Sequence, residues 1–492
     1  MTSERFGIGR RSGWAARGVG LLSLAAVAGC AVGPDYARPK TGEPGAWTAA
    51  MEGGVSAEAA DAGAWWRALG DPALDALVER AIEGNHDLRE AAARVREARA
   101  QRTAAGAARV PSVDAGAGYT RSRSSPNSRF GRFAAGSDTD GVDLYQAGFD
   151  ASWEVDLFGR VRRTIEAAEA DAQVAEESRR SVLVSLSAEV VRNFVELRAL
   201  QSREALAAES VRVQSDSASL ARARFEGGIA SELDAARAEA QVSATRARIP
   251  ALREEIARTI HRLGVLTGQE PGALRESLSA AGPIPSTPTS IGMGLPADLV
   301  RRRPDIRVAE RELAAATARI GVATADLYPR LSLAGSFGLE STTFGTLPEG
   351  DSIFWSIGPS VRVPIFNAGR LRALVRVADA RAERALVRHE RAVLVGLEEA
   401  QNAAVGLARE QERRALLEAA VASDERATDL ATHLYTQGLT DYLSVLDAQR
   451  QLLEQRDALV QSRAAVVQAM VALSKAIGGG WEGVEAPVAS RD

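Results

Sequence analysis

The chain of 492 residues is poor in the residue types that build most catalytic and metal sites, with one cysteine, four histidines and 5% aromatic residues. A single cysteine excludes an internal disulfide and a zinc site made of several cysteines. No Ser/His/Asp set, phosphate-binding loop or metal-ligand cluster stands out, and we expect the histidines to be solvated helix residues. These four histidines are His86, His261, His389 and His433. The sequence therefore predicts neither an enzyme nor a bound cofactor.

The chain also lacks a basic surface and a long apolar run. Its formal net charge is −4, and arginines alternate with acidic residues along helical stretches, so no nucleic-acid partner is expected. Beyond the first 29 residues, no run of about 18 apolar residues is available to span a bilayer as a helix. If the protein crosses a membrane, it must do so with strands.

The N-terminus has the pattern of an export signal that ends in a lipid site. Arginines precede an apolar stretch, residues 19–29, and the segment Val27–Cys30 matches a bacterial lipobox. We therefore expect residues 1–29 to be a signal peptide and Cys30 to carry lipid, which would anchor the chain in a membrane. Ala31 follows the cysteine where an aspartate would oppose outer-membrane sorting. An ordinary signal peptide with an incidental cysteine is the alternative.

The remaining chain repeats itself once. Asn85–Arg89 aligns with Arg303–Arg307, and beyond the strands Phe225–Gly228 aligns with Tyr435–Gly438 at an offset of 210 residues. The predicted organisation is an N-terminal segment over 30–70, a first repeat over 71–268 and a second repeat over 297–478. A linker over 269–296 joins the repeats, and a tail over 479–492 follows them.

Each repeat contains a predicted strand hairpin, over residues 111–157 and 329–366. Apolar residues occupy the odd positions, such as Phe149 and Trp153, and polar residues occupy the even ones, such as Asp150. Such alternation over about ten residues is typical of a barrel strand with lipid outside and water inside. A half-buried strand of a soluble sandwich alternates in the same way, and four strands alone do not close a barrel.

Very long helices follow each hairpin. Residues 160–224 and 370–435 contain no proline, and at 1.5 Å per residue each stretch forms a helix about 100 Å long. In the last helix, apolar residues recur seven apart in two adjacent columns, beginning at Leu439 and Val445. Two apolar columns favour a helix that contacts a neighbouring helix on each side, as in a helical barrel. A plain two-stranded coiled coil, the alternative, needs only one apolar column.

Three segments carry a family resemblance: Cys30–Tyr36, Trp153–Arg160 and Arg301–Asp305. They resemble the hallmarks of the outer membrane factors, the TolC-like family, and the lipobox is similar to the OprM and NodT branch. The resemblance implies an α+β membrane protein in which four strands per chain build a trimeric 12-stranded β-barrel, continued by a periplasmic α-helical barrel. It also implies a homotrimer in outer-membrane lipid, with a periplasmic adaptor protein and an inner-membrane pump of the resistance-nodulation-division type as partners.

The resemblance also assigns roles to residues near the two glycine turns. The turns would form the periplasmic tip that contacts the adaptor, through Gly227, Gly228, Gly438, Leu439 and Thr440. Leu443 and Asp447 fall on the positions of an apolar and an acidic constriction, and so form a predicted gate. Ser444 occupies the place of a second aspartate in TolC, so the two-aspartate gate does not carry over. The bland alternatives are ordinary helix caps for the glycines, a solvated helix residue for Asp447 and a coiled-coil seam position for Leu443.

Three functions remain open at this point. The first is the outer-membrane duct of a tripartite efflux pump for small toxic compounds. The second is an exit duct of a type I protein secretion system, which uses the same fold. The third is a coiled-coil surface lipoprotein that transports nothing, which the strand hairpins and the gate segment disfavour.

Overall fold

A computed structural model describes residues 31–39, 45–48, 51–58, 63–123, 125 and 141–484. The predicted signal peptide, Cys30 and residues 485–492 lie outside the described residues. The helices are α1 (Pro72–Gly84), α2 (His86–Ala107), α3 (Arg160–Glu226), α4 (Glu232–Arg246), α5 (Arg248–Leu266), α6 (Arg275–Leu278), α7 (Pro296–Arg302), α8 (Pro304–Ala325), α9 (Arg370–Thr436) and α10 (Tyr442–Ala476). The strands are β1 (Val55–Ser56), β2 (Ser112–Ser122), β3 (Val142–Val155), β4 (Ile291–Gly292), β5 (Arg330–Ser341) and β6 (Ile353–Arg362).

The chain divides into two compact units, each drawn from three segments. Unit 1 comprises the described residues within 1–38, 97–173 and 311–387, and unit 2 comprises those within 39–96, 174–310 and 388–492. The four long strands belong to unit 1, whereas the glycine turns belong to unit 2. Helices α3 and α9 begin in unit 1 and end in unit 2.

The duplication is visible in matching elements. Helices α3 and α9 contain 67 residues each and start 210 positions apart, as the repeated sequence requires. The helices that follow them differ between the repeats, which the sequence pattern did not predict. In the second repeat α10 runs unbroken, whereas in the first α4 ends at Arg246 and α5 begins at Arg248. Pro250 lies just after this break and has no N–H to donate to the preceding turn, which weakens the helix there.

The four long strands form one antiparallel sheet in the order β2-β3-β5-β6. Its register pairs Phe149 with Phe337, and Phe337 with Trp355, so residues at odd positions share one face. This face is apolar and exposed; Trp355 is 72% exposed and Ile357 68%. Strand β6 ends at Arg362, a few residues before the predicted end of its hairpin, because Pro364 follows and has no N–H to donate to a neighbouring strand.

Unit 2 has the largest apolar core. Leu, Val and Ala side chains from α1, α3, α5, α9 and α10 pack together around Trp66 and Phe194, both of which are buried. Of the buried residues that α3, α9 and α10 contribute to this core, more than half are alanine or valine. A second, smaller core lies beside the glycine turns, with Tyr435 and Tyr442 at its centre.

Two predictions about single residues are wrong. His389 was expected to be solvated, but it is 2% exposed, because it lies on the inward face of α9. Leu439 was expected on the heptad seam of the last helix, but α10 begins only at Tyr442 and Leu439 is 69% exposed. The helix starts later because Asp441 caps it, which leaves Leu439 in the turn.

Candidate functional site

The two glycine turns have the same geometry. Gly228 and Gly438 adopt positive φ angles of 76° and 75°, which favour glycine. After each glycine, an N–H donates back to a carbonyl five residues earlier, from Ile229 to Arg224 and from Leu439 to Leu434. This is the pattern of a glycine-ended helix, so the caps explain Gly228 and Gly438 without a further function.

Each turn exposes a large apolar side chain at the position after its glycine. Ile229 is 72% exposed and Leu439 is 69% exposed, and these residues are equivalent in the repeat. Thr440 follows Leu439, and its hydroxyl donates to the Ser444 hydroxyl over 3.1 Å. Among the predicted adaptor-contact residues, Leu439 is therefore the large exposed apolar one, and Ile229, which was not predicted, is its equivalent in the first turn.

Arg224, at the end of α3, joins one turn to the other. Its Nη1 donates to the carbonyl oxygen of Tyr435 over 2.5 Å, and its guanidinium lies 4.7 Å from the centre of the Tyr435 ring. The Tyr435 ring in turn contacts Tyr442 edge to face at 5.3 Å. The two turns align in the repeated sequence, but no sequence pattern predicts the contact between Arg224 and Tyr435. Folding brings Arg224 of the first repeat to Tyr435 of the second.

Burial has an electrostatic consequence in this core. Tyr442 is 2% exposed, and burial raises the pKa of its phenol to about 12, with smaller contributions from Tyr435 and Asp234. The phenol, which is neutral at physiological pH in any case, therefore stays neutral further into the alkaline range.

The predicted gate residues lie in the first two turns of α10. Asp441 caps this helix by accepting hydrogen bonds from the backbone N–H and the hydroxyl of Ser444, which lower the pKa of its carboxyl. Ser444 therefore supports the cap.

Leu443 and Asp447 are four residues apart and point to the same side of α10. Leu443 is 39% exposed, and the side chain of Asp447 is 63% exposed with Arg450 at 4.0 Å. Their neighbours Val445 and Leu446 face the buried core instead. In a single chain both gate residues thus lie on a free surface, and their role as a constriction stays a prediction.

The motif Arg301–Asp305 has a structural role in unit 2. The side chain of Arg303 is 7% exposed, and it pairs with Asp305 and Glu399, each at 2.6 Å. Its Nη1 also donates to the carbonyl oxygen of Ala476, the last residue of α10. Burial alone would lower the pKa of Arg303, but its hydrogen bonds and charge pairing with the two carboxylates raise it.

The first repeat has a neutral counterpart of this contact. Asn85 aligns with Arg303, and its amide Nδ2 donates to the carbonyl oxygen of Leu266, which is equivalent to Ala476. Its Oδ1 accepts the backbone N–H of Leu88. In each repeat, therefore, a side chain just before a helix (α2 or α8) donates a hydrogen bond to the last residue of that repeat's final helix (α5 or α10).

Within the described residues, no helix has both the length and the apolar content needed to cross a membrane.

Comparison with known proteins identifies the family. The outer membrane efflux protein family matches residues 77–269 and 295–479. The chain belongs to this family. Nodulation protein T of Rhizobium leguminosarum bv. trifolii is 31% identical over 459 residues, covering 93% of this chain and 96% of its own. The toluene efflux pump outer membrane protein TtgI of Pseudomonas putida is 31% identical over 470 residues, which are 94% of this chain and 97% of TtgI.

The fold is shared with a solved outer-membrane channel. The structure of the channel OprN superposes with a TM-score of 0.85 at 37% identity, covering 92% of this chain and all (100%) of that one. The predicted recognition and fold class are therefore confirmed. This efflux protein is an outer-membrane channel component of an efflux pump, located in the cell outer membrane with a periplasmic helical part. Its family is one of transport channels and not of enzymes.

Proposed function

We propose that three copies of this chain assemble into one continuous duct, closed by a 12-stranded barrel. The carrying observation is the four-stranded sheet, in which β2 and β6 each have only one partner strand among the described residues. An unpaired edge in lipid leaves backbone N–H and C=O groups without partners, at a cost of several kcal/mol each. Pairing β6 of one copy with β2 of the next removes both edges, and closure with three copies gives twelve strands.

The exposed faces of the sheet support the same assembly. The apolar face, with Val113 at 64% and Phe149 at 55% exposed, suits acyl chains. The opposite face has Asp114 directly paired with Asp150, followed by Ser336 and Ser356 in register. Acidic and hydroxyl side chains suit water, so this face lines the passage in the proposed barrel.

The native mass tests the assembly. We expect the purified protein in detergent to have the mass of three chains, and a stable monomer that still conducts would contradict the proposal.

The tip would contain the gate and the partner contact. In a three-fold assembly Leu443 and Asp447 become a ring of three leucines beside a ring of three carboxylates. Leucines exclude water, and like charges at one level repel one another unless a cation or neighbouring donors intervene. The exposed side chains of Ile229 and Leu439 form the apolar patches that a periplasmic adaptor protein would bind. The adaptor would in turn connect the duct to an inner-membrane pump of the resistance-nodulation-division type.

The substrates we propose are small toxic compounds. The relative TtgI is named for toluene efflux, which supports small apolar molecules over secreted polypeptides. Deleting the gene should sensitise cells to such compounds and leave secretion of large proteins unchanged. Loss of secretion without sensitisation would favour the type I secretion duct instead.

Single-channel recording tests the gate. Replacing Leu443 and Asp447 together with alanine should raise conductance in planar bilayers, and divalent cations should block the unmodified channel more than Asp447→Ala. The chain offers a matched control pair on α3, since Asp216 and Leu220 are also four apart and similarly exposed, at 76% and 38%. Alanine at this control pair should leave conductance unchanged; an equal effect of both pairs would place the gate elsewhere.

A further inference from the structure

Two apolar side chains at the end of the sheet are bare, although their equivalents in the repeat contact each other. Phe158, just after β3, stacks on Tyr328, just before β5, with 4.8 Å between the ring centres. The equivalent of Phe158 is Phe366, after β6, and the equivalent of Tyr328 is Val110, before β2. Phe366 is 89% exposed and Val110 is 62% exposed. The edge strands β6 and β2 therefore carry the two halves of a contact that β3 and β5 complete within the chain.

The repeat also predicts how β6 of one copy aligns with β2 of the next. Strand β3 recurs as β6 at an offset of 208 residues, and β2 recurs as β5 at an offset of 218 residues. Within the chain, Glu154 of β3 is opposite Ser332 of β5. The two offsets convert this pair into Arg362 of β6 opposite Asp114 of β2. An edge between copies that reproduces the edge between β3 and β5 therefore has this register.

The charges on the polar face favour the same register. Within one chain Asp114 is opposite Asp150, and Arg362 is opposite Arg330, so each edge residue faces a like charge. Like charges directly opposite each other destabilise a strand pair, whereas opposite charges stabilise it. In the part of the chain that the structure describes, neither Asp114 nor Arg362 forms a salt bridge, and both are exposed. Pairing them between copies gives each edge residue the opposite charge that its own sheet does not supply.

Closure of the barrel allows this register. The row of paired residues that starts at Asp114 ends at Ser356 of β6, and would continue to Thr120 of the next copy, six residues further along β2. Three such steps around twelve strands correspond to a strand tilt of roughly 45°, and closed barrels have tilts of about 35–45°. A step of eight residues would need a tilt of about 54°. A step of four residues also closes, at about 35°, but it leaves Arg362 opposite Ser112.

We propose that Arg362 of one copy pairs with Asp114 of the next, and that the same register places Phe366 against Val110 at each junction of the trimer. The inference rests on the proposed function, because it requires β6 and β2 of different copies to pair. The polar face then carries one arginine–aspartate pair at each junction. At the end of the sheet, the exposed Phe366 ring is covered by the neighbouring copy.

Disulfide mapping tests the register. Val361→Cys is combined in turn with Val113→Cys, Ala115→Cys and Ala117→Cys in the full-length protein, and the membranes are oxidised. In one chain β2 and β6 are three strand spacings apart, about 14 Å, so a disulfide between them must join two copies. Cys30 is present in every variant, and the single substitutions serve as controls for it.

We expect the pair of Val361→Cys with Ala115→Cys to form covalent trimers at least about tenfold faster than the other two pairs. In the proposed register Val361 and Ala115 are directly opposite, so their Cα atoms lie about 4.5–5.5 Å apart, within the range of a disulfide. Residues displaced by two positions lie about 7–8 Å away, beyond that range.

Exchanging the two charges tests the pair of Arg362 and Asp114. Arg362→Asp and Asp114→Arg should each speed the separation of the trimer in warm detergent by about threefold or more, because like charges then meet at all three junctions. The two substitutions together should restore the original rate. The control combines Arg362→Asp with Asp150→Arg, which lies one strand further from the junction, and should not restore it.

The outcomes separate the two proposals. If no partner of Val361→Cys forms covalent trimers, β6 and β2 of neighbouring copies do not pair, and the proposed duct is not formed. If Val113→Cys or Ala117→Cys reacts as fast as Ala115→Cys or faster, the trimer stands but the inferred register is wrong. If the register holds but the exchanged charges do not restore the rate, the ion pair is refuted.

Discussion

Replacing Arg303 should destabilise unit 2 far more than replacing its neighbour. Arg303→Met keeps an apolar stem of similar length but removes the guanidinium, and with it the hydrogen bonds to Asp305, Glu399 and the Ala476 carbonyl. The methionine fits the same space, so the change tests the polar contacts more than the packing.

The magnitude follows from what remains after the substitution. Breaking a buried ion pair costs about 3–5 kcal/mol when the remaining charge is trapped without a partner. Here the side chains of Asp305 and Glu399 are 46% and 52% exposed, so water can hydrate them. The carbonyl of Ala476 loses a charged donor, which costs about 1–3 kcal/mol. We therefore expect a loss of about 2–3 kcal/mol.

Thermal unfolding in detergent, followed by circular dichroism, measures this loss. The midpoint should fall by roughly 5 °C or more, since 1 kcal/mol shifts a domain of this size by about 2–4 °C. Hydrogen exchange should speed up at the end of α10, where Arg303 holds the last carbonyl. Arg302→Met is the control, because the ion pair of Arg302 with Glu482 is partly exposed and 3.4 Å long; such pairs contribute about 0–1 kcal/mol. Equal midpoints for the two variants would refute the reasoning.

Three further predictions concern the tip and the anchor. Because the pKa of Tyr442 is raised to about 12 from 10.0, its contribution to stability is complete below pH 10 and is lost as pH rises towards 12. The loss is at most roughly 2–3 kcal/mol, and Tyr442→Phe should flatten this part of an alkaline unfolding curve; an unchanged curve would contradict it. The pKa of Asp441 is lowered, so its capping contribution to helix stability is present at neutral pH and is lost as pH falls through values below 3.8. Asp441→Asn should keep the cap but remove this pH dependence, measured as the rate of hydrogen exchange at the start of α10. Cys30→Ser should abolish labelling with radioactive palmitate, and label retained in that variant would disprove the lipid site.

Local patterns determined the secondary structure of this protein well. Long stretches without proline predicted helices α3 and α9. Alternation of apolar and polar residues predicted the strands of the sheet, because only a strand places alternate residues on opposite faces. The glycine turns were equally readable, because a positive φ angle after a helix favours glycine. The break between α4 and α5 was missed, although Pro250 marks it, because the unbroken α10 in the other repeat suggested one continuous helix.

The strands and the turns were thus predictable from short local patterns, the repeat from two stretches that match at an offset of 210 residues, and the family from short motifs. Which distant residues contact one another became visible only in the folded chain. Folding placed Arg224 against Tyr435 and buried His389. Such contacts depend on how the helices pack: Arg224 and Tyr435 are 211 residues apart along the chain, and no local pattern marks their contact.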